Sequence, residues 1–62
     1  MKLASLLRVM DVMDNQKVIV NNNEGDTLYE FDIENKPVFV KSLDVIDVWY
    51  NDSFNAFIIK VK

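Results

Sequence analysis

Residues 16–33 read QKVIVNNNEGDTLYEFDI, and this stretch decides the fold. Lys17-Val18-Ile19-Val20 is short and rich in β-branched side chains, which favours an extended strand. Asn22-Asn23-Glu24-Gly25-Asp26 is the strongest turn signal present and holds the only glycine, placed where a hairpin turn needs a positive φ. From Thr27 to Ile33 the residues alternate, with Tyr29, Phe31 and Ile33 on one face and Leu28, Glu30 and Asp32 on the other. If Glu24-Gly25 forms a two-residue loop, Val20 faces Tyr29, Val18 faces Phe31 and Gln16 faces Ile33. Lys17 then faces Asp32 on the opposite side. Apolar residues meet apolar ones and opposite charges meet, as cross-strand pairing prefers. The stretch therefore predicts a β-hairpin of defined register.

Upstream, Leu3, Leu6, Leu7 and Met10 fall at the i, i+3, i+4, i+7 spacing of one helical face. The turn pair Asp14-Asn15 ends this helix near Met10 or Asp11. A helix of barely two turns is unstable alone and must lay its apolar face on a sheet.

Downstream, Glu34-Asn35-Lys36-Pro37 breaks the chain, because Pro37 lacks an amide donor and steers Lys36 away from helical angles. Val38 to Leu43 fits either a short strand or a crossover turn, so the conformation of Pro37–Leu43 stays open. Val45 to Tyr50 and Phe54 to Val61 then predict a second hairpin around Asn51-Asp52-Ser53. With Asp52-Ser53 as its loop, Ile46 faces Ile59, Val48 faces Phe57 and Tyr50 faces Asn55. A three-residue loop would change these pairs.

Both faces of this hairpin are apolar. Val45, Trp49, Ala56 and Ile58 stand opposite the face carrying Ile46, Val48, Phe57 and Ile59. An antiparallel sheet with one wet side alternates more cleanly, and one short helix covers only one side. The second face is expected either to close within a small barrel or to be covered by another molecule. Val45, Trp49, Ala56 and Ile58 are accordingly the candidate protein interface, centred on an aromatic.

The composition narrows the function classes. A chain of 62 residues holds one domain, 1–62, at a size where folds draw on disulfides, metals or association for support. Cysteine and histidine are both absent, which removes disulfides, thiolate ligands and imidazole metal sites. Association remains by elimination, as a homodimer or with a protein partner. Seven basic against ten acidic residues give a net charge of −3, which works against binding phosphate backbones. No apolar run reaches membrane-span length. Met1 to Met13 begins with Lys2 and apolar residues, but Arg8 interrupts it, Asp11 and Asp14 close it, and no small-residue cleavage site follows. A cytoplasmic location is expected.

Sites for chemistry are not evident. The carboxylate pairs Asp11/Asp14, Asp44/Asp47 and Glu30/Asp32 sit at turns or on a solvent face, not in a dry cleft. The asparagine-rich turn before Gly25 lacks the alternating acids and later glutamate of an EF-hand loop. Ser5, Ser42 and Ser53 have no histidine to activate them. A single glycine cannot build a phosphate-binding loop. No catalytic residue, metal site, cofactor or small-molecule substrate is expected. The aromatics Tyr29, Phe31, Trp49, Tyr50, Phe54 and Phe57 suggest stacking on single-stranded nucleic acid, but the lysines lie scattered among acids and form no groove.

The opening Met-Lys-Leu-Ala-Ser-Leu-Leu, then Gln-Lys-Val-Ile-Val, Gly-Asp-Thr-Leu-Tyr-Glu and the closing Phe-Ile-Ile-Lys-Val resemble small proteins of Gram-positive gut bacteria and of their phages or mobile elements. The resemblance implies a cytoplasmic accessory protein and transfers no functional residue.

The sequence thus predicts an α+β fold with a short N-terminal helix packed on an antiparallel sheet of two β-hairpins. A small SH3-like, half-open barrel is the alternative. The expected function is a non-enzymatic interaction or self-associating module. A nucleic-acid-associated regulator of phage or mobile-element origin is the alternative, although a nucleic-acid partner is not expected.

Overall fold

A computed structural model describes residues 1–10, 16–35 and 42–62. In chain order its elements are helix α1 (Leu3–Met10), strands β1 (Lys17–Asn21) and β2 (Thr27–Asp32), a 3-10 turn over Ile33–Asn35, and strands β3 (Val45–Asn51) and β4 (Ala56–Val61). The strands form one four-stranded sheet in the order β2-β1-β4-β3. Each hairpin is antiparallel within itself, but β1 and β4 meet in the middle as a parallel pair. The sheet is therefore mixed and open. The fold is the expected α+β; the sheet is mixed instead of antiparallel throughout, because β1 and β4 run parallel, and the alternative, a barrel, is not formed.

The first hairpin takes the expected register: Lys17 faces Asp32, Val18 faces Phe31 and Val20 faces Tyr29. Beyond β2 the ladder is extended by Ile33 N–H, which donates to Gln16 O at 2.7 Å. The turn differs. A bulge at Val20/Asn21 sets Asn21 against Thr27, and Asn22 N–H donates to Asp26 O. The loop is thus Asn23-Glu24-Gly25, closed by Gly25 N–H on Asn22 O at 3.2 Å with Gly25 at φ +93°. Three-residue hairpin loops have this form, with a glycine where φ must turn positive. Asn22 Oδ1 also accepts the N–H groups of Glu24 and Asp26, both at 2.9 Å. The asparagine side chain thereby fixes the turn that a two-residue loop would have left to backbone bonds alone.

The second hairpin is displaced by one pleat from the expected register. Val48 faces Ile59, Tyr50 faces Phe57 and Asn51 faces Ala56, so the loop runs from Asp52 to Asn55. Asn55 takes φ +52°, the left-handed conformation that asparagine tolerates better than other side chains. Phe54 N–H donates to Asn51 Oδ1 at 3.1 Å and Tyr50 Oη to Asn55 Oδ1. Two asparagines thus do what the missing glycine would have done.

One apolar core lies between α1 and the sheet. Leu3, Leu7 and Met10 from the helix, Val18 and Val20 from β1, Ile33, and Ile59 and Val61 from β4 form it. Leu6, Tyr29, Phe31, Leu43, Val45 and Phe57 pack around them. The helix spacing read from the sequence therefore lands on the face it predicts. The layers are thin: the shortest extent is 16 Å, about one helix over one sheet.

The N-terminus ties this layer to the far edge of the sheet. Leu3 N–H donates to Leu43 O and Val45 N–H to Met1 O, both at 2.8 Å. Lys2 and Asp44 form a bridge on the same edge, and Lys2 Nζ lies 2.7 Å from Asp44 Oδ1. The ammonium of Lys2, as hydrogen-bond donor and as charge, holds the Asp44 carboxyl below its ordinary pKa. Asp11 to Asn15 and Lys36 to Lys41 lie outside the described residues, and with them the expected Asp14-Asn15 turn and most of Pro37–Leu43.

Three outcomes test this account. Leu7→Ala removes a side chain 2% exposed and is expected to cost about 2–5 kcal/mol in denaturant unfolding. Gly25→Ala meets no atom within 4 Å of the added Cβ, so its expected cost, about 1–2 kcal/mol, is conformational strain alone. For Asp44, a folded pKa below the unfolded one means that its stabilisation is present at neutral pH and fades as pH falls through the folded value. NMR titration should place the Asp44 midpoint below the usual aspartate range, and Lys2→Met should return it there. Because both groups are about half exposed, melting temperature should change little.

Candidate functional site

The four candidate residues end in three different settings. Ala56 and Ile58 are 0% and 4% exposed and lie on the sheet face away from the core cluster. Both belong to β4, an interior strand flanked by β1 on one side and β3 on the other. Ile58 stands between Trp49 and Ile19, and Ala56 between Asn51 and Lys17. Neither is an accessible interface residue. Val45 is removed from the second face by a bulge: the register shifts between Val45 and Asp47, leaving Val45 opposite Val61 and packed on the core. Two residues against one invert the alternation at that point. Trp49 alone keeps the expected setting, on the second face and 41% exposed.

A different set of apolar side chains surrounds Trp49. Along β3, Ile46, Val48, Trp49 and Tyr50 are 49%, 37%, 41% and 42% exposed, and Phe54 in the adjoining loop is 61% exposed. Val48 and Tyr50 share the face of their partners Ile59 and Phe57, yet stay accessible because β3 lies at the sheet's edge. Tyr50 packs edge-on against Phe57 with ring centroids 5.2 Å apart, which orients its ring without covering it. The sequence did carry a signal for this strand. VIDVWYN has one charge and neither lysine nor proline, an unusually bare composition for an edge.

The polar groups of this edge are partly spoken for. Among the described residues, the segment at Met1–Leu3 engages the outer side of the strand only as far as Val45. Val48 N–H donates to Asp47 Oδ1 at 2.9 Å. A side chain has thereby taken up an edge amide, which partly blunts the edge.

Beside Trp49 an open cleft of about 370 Å³ is lined by Asn21 to Gly25, Trp49 and Lys60. Two of its asparagine oxygens serve the fold: Asn22 Oδ1 holds the turn and Asn21 Oδ1 accepts the Thr27 hydroxyl at 3.1 Å. Among the described residues, the carboxylates noted in the sequence are dispersed. Glu30 pairs with Lys17 at 3.2 Å, Asp44 with Lys2, and Asp47 with a backbone amide. Lys17 thus reaches diagonally to Glu30 instead of straight across to Asp32. Among the described residues no group of three or more acidic side chains is gathered where a metal would sit, and no helix is long and apolar enough to cross a membrane.

No family model, curated protein or solved structure matches this chain.

A quenching experiment checks the setting of Trp49, the single tryptophan of the chain. In dilute native protein, iodide is expected to quench its fluorescence to an extent between that of a buried indole and that of the unfolded chain. Complete protection at high dilution would place Trp49 inside the fold.

Proposed function

We propose that the protein is a non-enzymatic association module that docks to another protein chain along β3, with Trp49 at the centre of contact. The observation that supports this reading is the run Ile46, Val48, Trp49 and Tyr50, exposed on both faces of one edge strand. An exposed apolar edge offers two things to an incoming strand: backbone groups for a ladder and side chains on alternating faces for selectivity. Tryptophan and tyrosine are also the side chains that most often dominate binding energy. The lysines support the nucleic-acid reading poorly, since Lys2 and Lys17 are each engaged by an acid.

The test compares solution mass and cross-linked species, for the pure chain and in extract of the source cells, between wild type and two variants. Trp49→Ala removes the central aromatic, and Val48→Lys puts a charge on the edge. Both residues are substantially exposed, so melting temperatures are expected to fall by only a few degrees, whereas the wild-type complexes disappear. Complexes that survive both substitutions, or vanish only because the variants unfold, would overturn the reading.

A further inference from the structure

We propose that the chain occupying this edge is a second copy of the protein, paired antiparallel β3 to β3 with Trp49 facing Trp49 across a two-fold axis. The inference rests on the reading of β3 as a docking edge and adds the partner and the register.

The direction of the backbone groups comes first. Val48 N–H is taken by the neighbouring Asp47 carboxylate, which sets it on the outer side of the strand. In an antiparallel ladder alternate residues direct their polar groups the same way, so Tyr50 presents its N–H and C=O on that side as well. Val45 N–H is already given to Met1, and pairing must therefore stay beyond Val45.

Only a few two-fold registers are then open, and side-chain chemistry separates them. Centring on Asp47 sets one carboxylate against its own copy, like charges directly opposite. Centring on Val48 brings Asn51 against Val45, where the N-terminal segment already sits. Centring on Tyr50 carries the pairing into the Asp52–Asn55 loop. Centring on Trp49 avoids all three conflicts. It pairs Val48 with Tyr50 twice, through the outward amides, and places Trp49 against Trp49 in the closely spaced, non-hydrogen-bonded position. It also sets Asp47 opposite Asn51 on the same face. Asn51 Oδ1 is occupied by Phe54 N–H, so the end of its amide left for a partner is the NH₂ donor, which a carboxylate accepts. Asp47 would release Val48 N–H to the incoming strand and take up the Asn51 amide instead.

The result is one continuous eight-stranded sheet, four strands from each copy. Pairing limited to residues 47–51 falls short of the roughly 800 Å² per partner of a standard interface. With a net charge of −3 on each chain, the dimer is expected to dissociate on dilution and to tighten with salt.

Two properties of the chain make the test direct. It has a single tryptophan and no cysteine. Circular dichroism of the wild type, measured with light scattering over a wide concentration range, should show an exciton couplet that grows with the dimer fraction, since only two copies can bring two indoles together. An equimolar mixture of Val48→Cys and Tyr50→Cys chains should oxidise to a mixed disulfide several-fold faster than either variant forms one alone. A dimer without the couplet, or Val48→Cys linking to itself as fast as in the mixture, would overturn the register while leaving β3 as a docking edge. A monomer at every concentration and salt would overturn self-pairing; complexes in extract sensitive to Val48→Lys would still sustain the docking reading.

Discussion

The parallel pairing of β1 with β4 is the constraint on which the rest of the structure depends. It places the most apolar strand, Ala56–Val61, in the interior of the sheet, with buried residues on both its faces. It also makes β2 and β3 the edges. Because β2 and β3 each run antiparallel to an inner strand, they run parallel to each other at opposite edges, and residues 33 and 44 bound the connection between them. Ile33, 1% exposed, anchors one end of that connection and Leu43 packs on the core at the other.

The short helix follows from the same arrangement. Eight residues (Leu3–Met10) extend about 12 Å, enough to cover the inner strands but not the whole width of the sheet. Val48 and Tyr50 point to the helix side and stay exposed for this reason. The bond from Val45 N–H to Met1 O then fixes how far the N-terminal segment protects β3. An apolar edge strand left uncovered is a hazard that folded proteins ordinarily blunt with charge, proline or a bulge. Here the bulge at Ile46 and the Asp47 carboxylate are the devices present. Both lie toward one end, and among the described residues nothing pairs with the outer side of the strand's aromatic half.

Of the four residues expected at an interface, Trp49 alone is exposed. Apolar residues on both faces of Val45–Val61 suggest, from the sequence, one two-faced hairpin in need of a cover. The two strands have different reasons for that pattern. In β4 it reflects interior position beside a parallel neighbour, for which near-continuous apolar runs are usual. In β3 it reflects an edge whose side chains stay open. Trp49 belonged to the second group, and Ala56 and Ile58 to the first. Val45 turns to the core because a bulge that no glycine marks interrupts the alternation between Val45 and Asp47.

What the sequence determined by itself was local. The helix face of Leu3, Leu7 and Met10 follows from a period of 3.6 residues, and the register of the first hairpin follows from matching two alternating faces at once. Both patterns are short-range, each lying within one continuous stretch of the chain. The tertiary structure alone decided the parallel meeting of β1 and β4, the bulge that turns Val45 inward, and the four-residue loop closed by Asn51 and Asn55. A strand pattern states which residues share a face but not which strand lies alongside. That choice is made by the common core, where Val18 and Val20 fit beside Ile59 and Val61 under a single helix.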